Sequence, residues 1–256
     1  MRWDPGQYVR YAGERERPFH DLLARIDAAD PRRVVDLGCG TGTTTVHLKQ
    51  RWPAAEVVGL DSSPEMIETA TPLSSEGLSF HVEDVQTWTM PADAGVLVSN
   101  AVLQWVPDHL ELLARWGEQL PSDGWLGIQV PGNFGAPSHQ LMRQVARSAR
   151  WADRLGDVLR GDDWVATPDV YAKVLLDAGL VVDVWETTYL HLLHGQDPVL
   201  EWVRGTGLRP VLAALTADEA AEFEQEYSAL LREAYPATDH GTIFPFRRIF
   251  AVGRRE

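Results

Sequence analysis

Residues 32–48, RRVVDLGCGTGTTTVHL, pass from an apolar, β-branched run through three alternating glycines into a helical pattern. A strand over 32–37 thus ends in a loop that needs unusual backbone freedom at Gly38, Gly40 and Gly42. A loop of this kind, between a strand and the next helix, lets a ligand approach the backbone and the helix N-terminus closely. The same alternation continues downstream. A helix over 43–52 stops at Pro53, a strand covers 56–61, and a helix over 62–71 starts on serines with Pro64 in its first turn. Strands follow at 78–84 and 94–100, then a helix at 108–120 and a strand at 125–130. Their continuous apolar runs suit parallel strands buried on both faces, so the pattern predicts an open, doubly wound α/β sheet.

Beyond Pro131 the pattern loosens. Helical stretches span 138–160 and 168–178, the second closed by Gly179, and 180–193 alternates like a strand. Residues 197–235 read as helical and acidic, and 247–255 as the last strand. The gap of about 55 residues between those two strands exceeds what a connection needs and is read as a helical cap over a site. Bulk properties limit the partners. With 45% hydrophobic residues in 256, the chain can bury one sizeable core. A net charge of −14, two lysines and no basic cluster argue against a nucleic acid. The single cysteine, Cys39, excludes an internal disulfide and points to a reducing compartment. No apolar leader and no stretch of about 18 apolar residues appears, so the expectation is a soluble, cytoplasmic protein without a membrane partner.

The glycine loop discriminates between ligands. A dinucleotide fingerprint, G-x-G-x-x-G, requires glycine at position 43, where this chain has threonine. Asp36, two residues before the loop, would repel a pyrophosphate and attract an ammonium group. Asp61 ends the second strand 23 residues after Gly38, where a carboxylate can accept both hydroxyls of a ribose. Asp84, at the end of the third strand, could accept from an adenine amino group, and Asn100 and Ala101 end the fourth. Ammonium, ribose and adenine together describe S-adenosyl-L-methionine. An NAD-dependent oxidoreductase, which shares the fold and Asp61, is the competing enzyme class; a non-catalytic S-adenosylmethionine-binding module is a third reading.

Four blocks in order, VVDLGCGTG, GLDSSPEMI, HVEDV and SNAVLQWVPD, resemble the class I S-adenosylmethionine-dependent methyltransferases. The resemblance implies a seven-stranded, mostly parallel, Rossmann-like sheet in a single methyltransferase domain over 1–256. Its core would span about 31–133, 168–190 and 245–256, with a helical cap from about 1–30, 134–167 and 191–244. By the same resemblance Asp36, Gly38, Cys39 and Gly40 line the methionine end and Asp61 holds the ribose. Ser62 and Met66 flank the adenosine, Asp84 with Val85 holds the adenine, and Asn100, next to Ala101, reaches toward the methionine portion.

The outer segments WDPGQYVRYAGERERP, PGNFGAPSHQLM, VWETTYLH, WVRGTGLRP and FPFRRIFAVGRR resemble the trans-aconitate 2-methyltransferase family, which esterifies a carboxylate of a small tricarboxylic acid. The implied substrate is a trianion, so this acidic protein needs local arginines whose planar forks match carboxylates. Arg209 is favoured, because it lies between GTGL and a proline and reads as a loop residue; Arg15 and Arg248 follow, while Arg17 reads only as a helix start. Tyr8, Asn133, His139, Tyr189 and His191 lie in matching blocks, and Trp105 reads equally as a wall of the acceptor pocket or as core. His191 and His194 have a metal-pair spacing, yet no acid or cysteine completes a site, so no metal is expected. No general base is expected either, since a carboxylate acceptor is already ionised. An O-methyltransferase for another small acid or natural product is the alternative, and the expected assembly is a monomer or weak homodimer.

Overall fold

The computed structural model describes residues 12–256 except 157, 160, 162 and 163, with the side chains of 12–15 outside the described set. Five strands form in chain order where apolar runs are expected: β1 (Arg33–Leu37), β2 (Glu56–Asp61), β3 (Leu78–Val82), β4 (Ala94–Asn100) and β5 (Trp125–Pro131). All four pairings among them are parallel, with Val34 opposite Val57 and Val96, Val58 opposite Ser79, and Asn100 opposite Gln129. Two long strands, β6 (Val181–Leu193) and β8 (Gly241–Arg254), complete the order β3-β2-β1-β4-β5-β8-β6, and the two-residue β7 (Ala237–Thr238) pairs with β8. Backbone bonds link Asp123 to Arg255 and Gly132 to Arg247, so β8 runs antiparallel to β5. The sheet is mixed and doubly wound, and its order reverses at β1 and β4. That reversal opens a crevice beyond the carboxyl ends of those strands.

The chain divides into two compact units, one reaching to Val130 and adding Ala166–Glu186 and Arg248–Glu256. In this first unit Val34, Leu37, Val57, Val96, Leu97, Val98 and Leu126 are fully buried, as parallel strands covered on both faces require. Each such side chain contributes on the order of 1.5–3 kcal/mol by leaving water. Its helices are α1 (Ala12–Leu23), α2 (Thr45–Arg51), α3 (Pro64–Ala70), α4 (His109–Gln119) and, in the second segment, α7 (Pro168–Asp177). The described part of the segment assigned to the cap by sequence, 12–30, lies in this unit. Phe19, Leu22 and Ile26 are fully buried, and Ile26 packs so closely on Gly127 of β5 that a Cβ there would stand 2.7 Å from it.

The second unit, Pro131–Val165 and Thr187–Arg247, holds α5 (Pro137–Ala146), α6 (Ala152–Leu155), α8 (Pro198–Arg204), α9 (Arg209–Ala214) and α10 (Ala217–Ala234). Helix α5 docks on α10 through Ser138, whose carbonyl accepts from Tyr227 at 2.7 Å and whose amide donates to the Tyr235 hydroxyl at 3.0 Å. The helical stretch expected over 138–160 breaks after Ala146, where the chain turns to bury Trp151 against Phe223. The last strand starts at Gly241, six residues before its expected first residue. Pro245, which lacks an N–H and argues against a strand interior, is accommodated at an exposed position of β8. Among the described residues no helix is long and apolar enough to cross a membrane.

Candidate active site

The turn from β1 into α2 is built on backbone that other residues avoid. Gly38, Gly40 and Gly42 have φ of +82°, +56° and +76°. A Cβ at Gly38 would stand 2.2 Å from Val102 Cγ2, so the β4 end closes down on the loop from above. At Gly40 a Cβ would meet nothing within 4 Å. The reason is a cavity of about 350 Å3, within the size range of small-molecule sites.

Gly38, Cys39, Gly40, Asp61, Ser62, Met66, Asp84, Val85, Asn100, Ala101 and Trp105 all line this cavity, drawn from the ends of four strands and the segments that follow them. Asp61 is held at both oxygens: Oδ2 accepts from the Gly40 amide and Oδ1 from the Ser63 amide, each at 2.9 Å. One lone pair on each oxygen is left for a ligand, side by side, as a pair of vicinal hydroxyls requires. The exposed Asp84 is steadied by the Gln86 amide at 2.9 Å. Ala101 adopts φ +59°, a left-handed conformation costing a residue with a Cβ about 1–2 kcal/mol, while its amide donates to Gln129 O. Beside it Asn100 Oδ1 is buried with no hydrogen-bond partner among the described residues. An orphaned acceptor of that kind fits a donor brought by a ligand.

Asp36 departs from the expectation. It does not line the cavity but lies beneath the loop, 2% exposed, its Oδ2 accepting from Thr45 Oγ1 at 2.6 Å. Burial pushes its carboxyl up to about 6, Thr45 pulling the other way and the charge of Asp61 adding to the rise. Burial likewise pushes the Cys39 thiol far up, so this cysteine is a packing surface and no nucleophile. The cavity also takes in residues that sequence reasoning missed, among them Glu16 from α1, Thr43, Thr44, Gln86 and Val102. Thr43 and Thr44 follow the glycines directly and could have been inferred; Glu16, distant in sequence and on a charged helix, gave no signal.

Of the residues expected to meet the substrate, Trp105 lines the cavity, and the other described ones fall in both units. Tyr8 lies outside the described residues, and Arg15 falls on α1 with its side chain outside them. Arg17 is exposed on α1, within 3.9 Å of Asp21. Arg248 is buried, Nη1 3.3 Å from Gln129 Oε1. In the second unit Asn133 Oδ1 accepts from the Arg247 amide at 2.6 Å. Tyr189 and His191 are buried in an aromatic cluster where the His191 ring stacks on Trp202 with centroids 4.7 Å apart. His139 carries its Nε2 against Gly207, where a Cβ would stand only 3.1 Å away. Arg209, two residues on, is the first residue of α9 and not a loop residue as its sequence context suggests. A cation in a helix's first turn gains nothing from the macrodipole, so helix stability does not account for it.

Glu16, Asp61 and Asp84 give the cavity three carboxylates, and no lysine or arginine stands among its described lining residues. A pyrophosphate would find no counter-charge there. Residues 11–182 match the family described as Methyltransferase domain. A trans-aconitate 2-methyltransferase of Streptomyces avermitilis is 55% identical over 99% of this chain and 97% of its own length. The chain belongs to the trans-aconitate 2-methyltransferase family. A second member of the family, from Streptomyces coelicolor, is 57% identical over 99% of this chain and 86% of its own. Among solved structures, a geranyl diphosphate C-methyltransferase of Streptomyces coelicolor, in complex with Mg2+, geranyl diphosphate and S-adenosyl-L-homocysteine, superposes with a TM-score of 0.55. It is 15% identical and the match covers 98% of this chain and 82% of that one, which places this chain in the same fold.

Proposed function

We propose that this protein transfers a methyl group from S-adenosylmethionine to a carboxylate of trans-aconitate, giving the monomethyl ester and S-adenosylhomocysteine. The donor half of the reading is carried by the lining of the cavity: three carboxylates and an unpartnered amide oxygen, with no basic side chain described. Asp61, fixed by two backbone amides, is read as the acceptor of the ribose hydroxyls; Asp84, with Val85, as the holder of the adenine; and Met66 and Ser62 as its flanks. Asn100 Oδ1 is read as the partner of the methionine ammonium, with the buried Asp36 charge behind the loop reinforcing it. When bound, S-adenosylmethionine supplies an electrophilic sulfonium methyl.

The acceptor half rests on identity that runs through the whole chain and not only through the cofactor blocks. A carboxylic acid with an ordinary value near 4 is ionised at neutral pH, so the acceptor oxygen needs no proton removed and no general base is assigned. What the protein supplies is alignment of oxygen with methyl and sulfur, and positioning alone can be worth effective molarities of order 10⁵ M. The cavity's carboxylates cannot hold a trianion. Arg209 and Arg248 are therefore assigned to the carboxylates that are not methylated, with Arg15, Tyr8, Trp105, Asn133, His139, Tyr189 and His191 as further acceptor-side residues. The test is a panel of di- and tricarboxylic acids incubated with labelled S-adenosylmethionine and read for methyl ester by mass spectrometry. Trans-aconitate should lead the panel; equal or better turnover of an unrelated acid or of a phenol would replace the acceptor and leave the donor reading standing.

A further inference from the structure

Glu16 and His20 stand four residues apart on α1 and so share one face of that helix, toward which α2 presents His47. One ligand atom from each of the three, a carboxylate oxygen and two imidazole nitrogens, lies within 4.8 Å of the others. The two rings meet edge to face with centroids 4.9 Å apart. The His47 Nδ1 is 3.2 Å from Gln50 Oε1. With Nδ1 protonated and donating to Gln50, Nε2 keeps its lone pair for an ion, the arrangement that metal-binding histidines adopt through a partner on their other nitrogen.

We infer that Glu16, His20 and His47 form a binding site for one divalent transition-metal ion at the rim of the cavity. Two imidazoles and a carboxylate suit zinc, cobalt, nickel or copper, and are poor company for magnesium or calcium, which take oxygen ligands. With metal–ligand bonds of about 2.1 Å in a tetrahedral set, ligand atoms sit about 3.4 Å apart, so the three side chains must close in by roughly an ångström. His20 is exposed and the other two half-buried, so rotamer adjustment is open to them. Three protein ligands leave a position for water or for a carboxylate from solution, and because Glu16 lines the cavity that position lies at its edge. An ion here would also tie α1 to α2. This site is independent of the metal pair that the spacing of His191 and His194 suggests and that the sequence leaves incomplete.

The full chain, stripped with chelator and dialysed, is titrated with zinc chloride by calorimetry and with cobalt chloride by visible absorption. One saturable equivalent and a cobalt ligand-field band are expected. His20→Gln and His47→Gln should each weaken zinc at least tenfold, and Gln50→Leu, which removes only the partner of Nδ1, by about tenfold. Zinc should raise the melting temperature of the wild type and leave that of the His20→Gln, His47→Gln double variant unchanged, with unaltered circular dichroism reporting that both are folded. Absence of saturable binding to the wild type, or undiminished binding to the double variant, would overturn the site.

Discussion

Alanine at Gly40 and alanine at Gly38 should damage this protein in opposite ways. Both positions have positive φ, which costs alanine about 1–2 kcal/mol. Part of that is offset by the stiffer unfolded chain, by about 0.4–1 kcal/mol. At Gly40 nothing lies within 4 Å of the new methyl, so strain is the whole cost: about 1 kcal/mol, or roughly 2–4 °C of melting temperature for a chain of this size. At Gly38 the methyl would lie 2.2 Å from Val102 Cγ2, more than an ångström inside ordinary contact. Overpacking then adds about 1–3 kcal/mol, and the fall should approach 10 °C. Ligand binding should reverse the ranking of harm per kcal/mol, because the Gly40 methyl projects into the cavity. Thermal unfolding paired with calorimetric titration of S-adenosylhomocysteine reads both quantities. The expected result is a near-normal melt and at least a tenfold loss of affinity for Gly40→Ala, against a clearly lowered melt for Gly38→Ala. Wild-type affinity in Gly40→Ala, or equal melting of the two variants, would refute the placement of the loop.

Asp61→Ala should weaken S-adenosylhomocysteine by about 1–3 kcal/mol, the scale of hydrogen bonds to a charged group, and unchanged affinity in a calorimeter would remove Asp61 from the ribose. Asp36, pushed up by burial from 3.8 to about 6, is protonated in the free native protein at pH values where the unfolded chain has lost that proton. Its contribution to the stability of the free protein is thus complete below about pH 4 and lost as pH rises through 6, a span of about 3 kcal/mol. Asp36→Asn should flatten the melting profile between those values, and a profile parallel to the wild type would show that the group titrates normally. Arg209→Lys keeps the charge and removes the planar fork, so KM for trans-aconitate should rise severalfold with S-adenosylhomocysteine affinity unchanged; wild-type kcat/KM would make Arg209 a surface residue.

Most of the residues that line the cavity were legible because they lie at or just after the end of a strand, and strand ends can be found from local patterns alone. Gly38, Asp61, Asp84 and Asn100 are separated by whole βα units, yet parallel registry brings their strand ends to one rim. Asp36 was misplaced for a reason of pitch: side chains alternate along a strand, and whether position 36 faces the cavity or Thr45 depends on how sharply the loop turns. Glu16 was invisible because its helix buries Phe19 and Leu22, the latter against Gly127 of β5, and offers its charged residues no local mark of function. In the second unit Tyr189 and His191 stand out in the sequence only because they lie in blocks that resemble the family, whereas their burial in a cluster with Trp202, Phe244 and Phe246 depends on long-range packing.

The Gly38 and Cys39 amides both donate to one acceptor, the carbonyl of Leu60, at 2.7 and 2.8 Å. That anchor belongs to the main chain, so no substitution at position 60 short of a change in backbone path can delete it. Leu60 itself should drift freely among apolar residues of similar bulk over evolutionary time, since only its volume is under scrutiny. Asp61, one position later, has no such latitude, because its grip on the loop is made by side-chain oxygens. Two neighbours in the same strand thereby carry opposite hereditary burdens, and a library randomised at both sites should return variety at 60 and near-uniformity at 61.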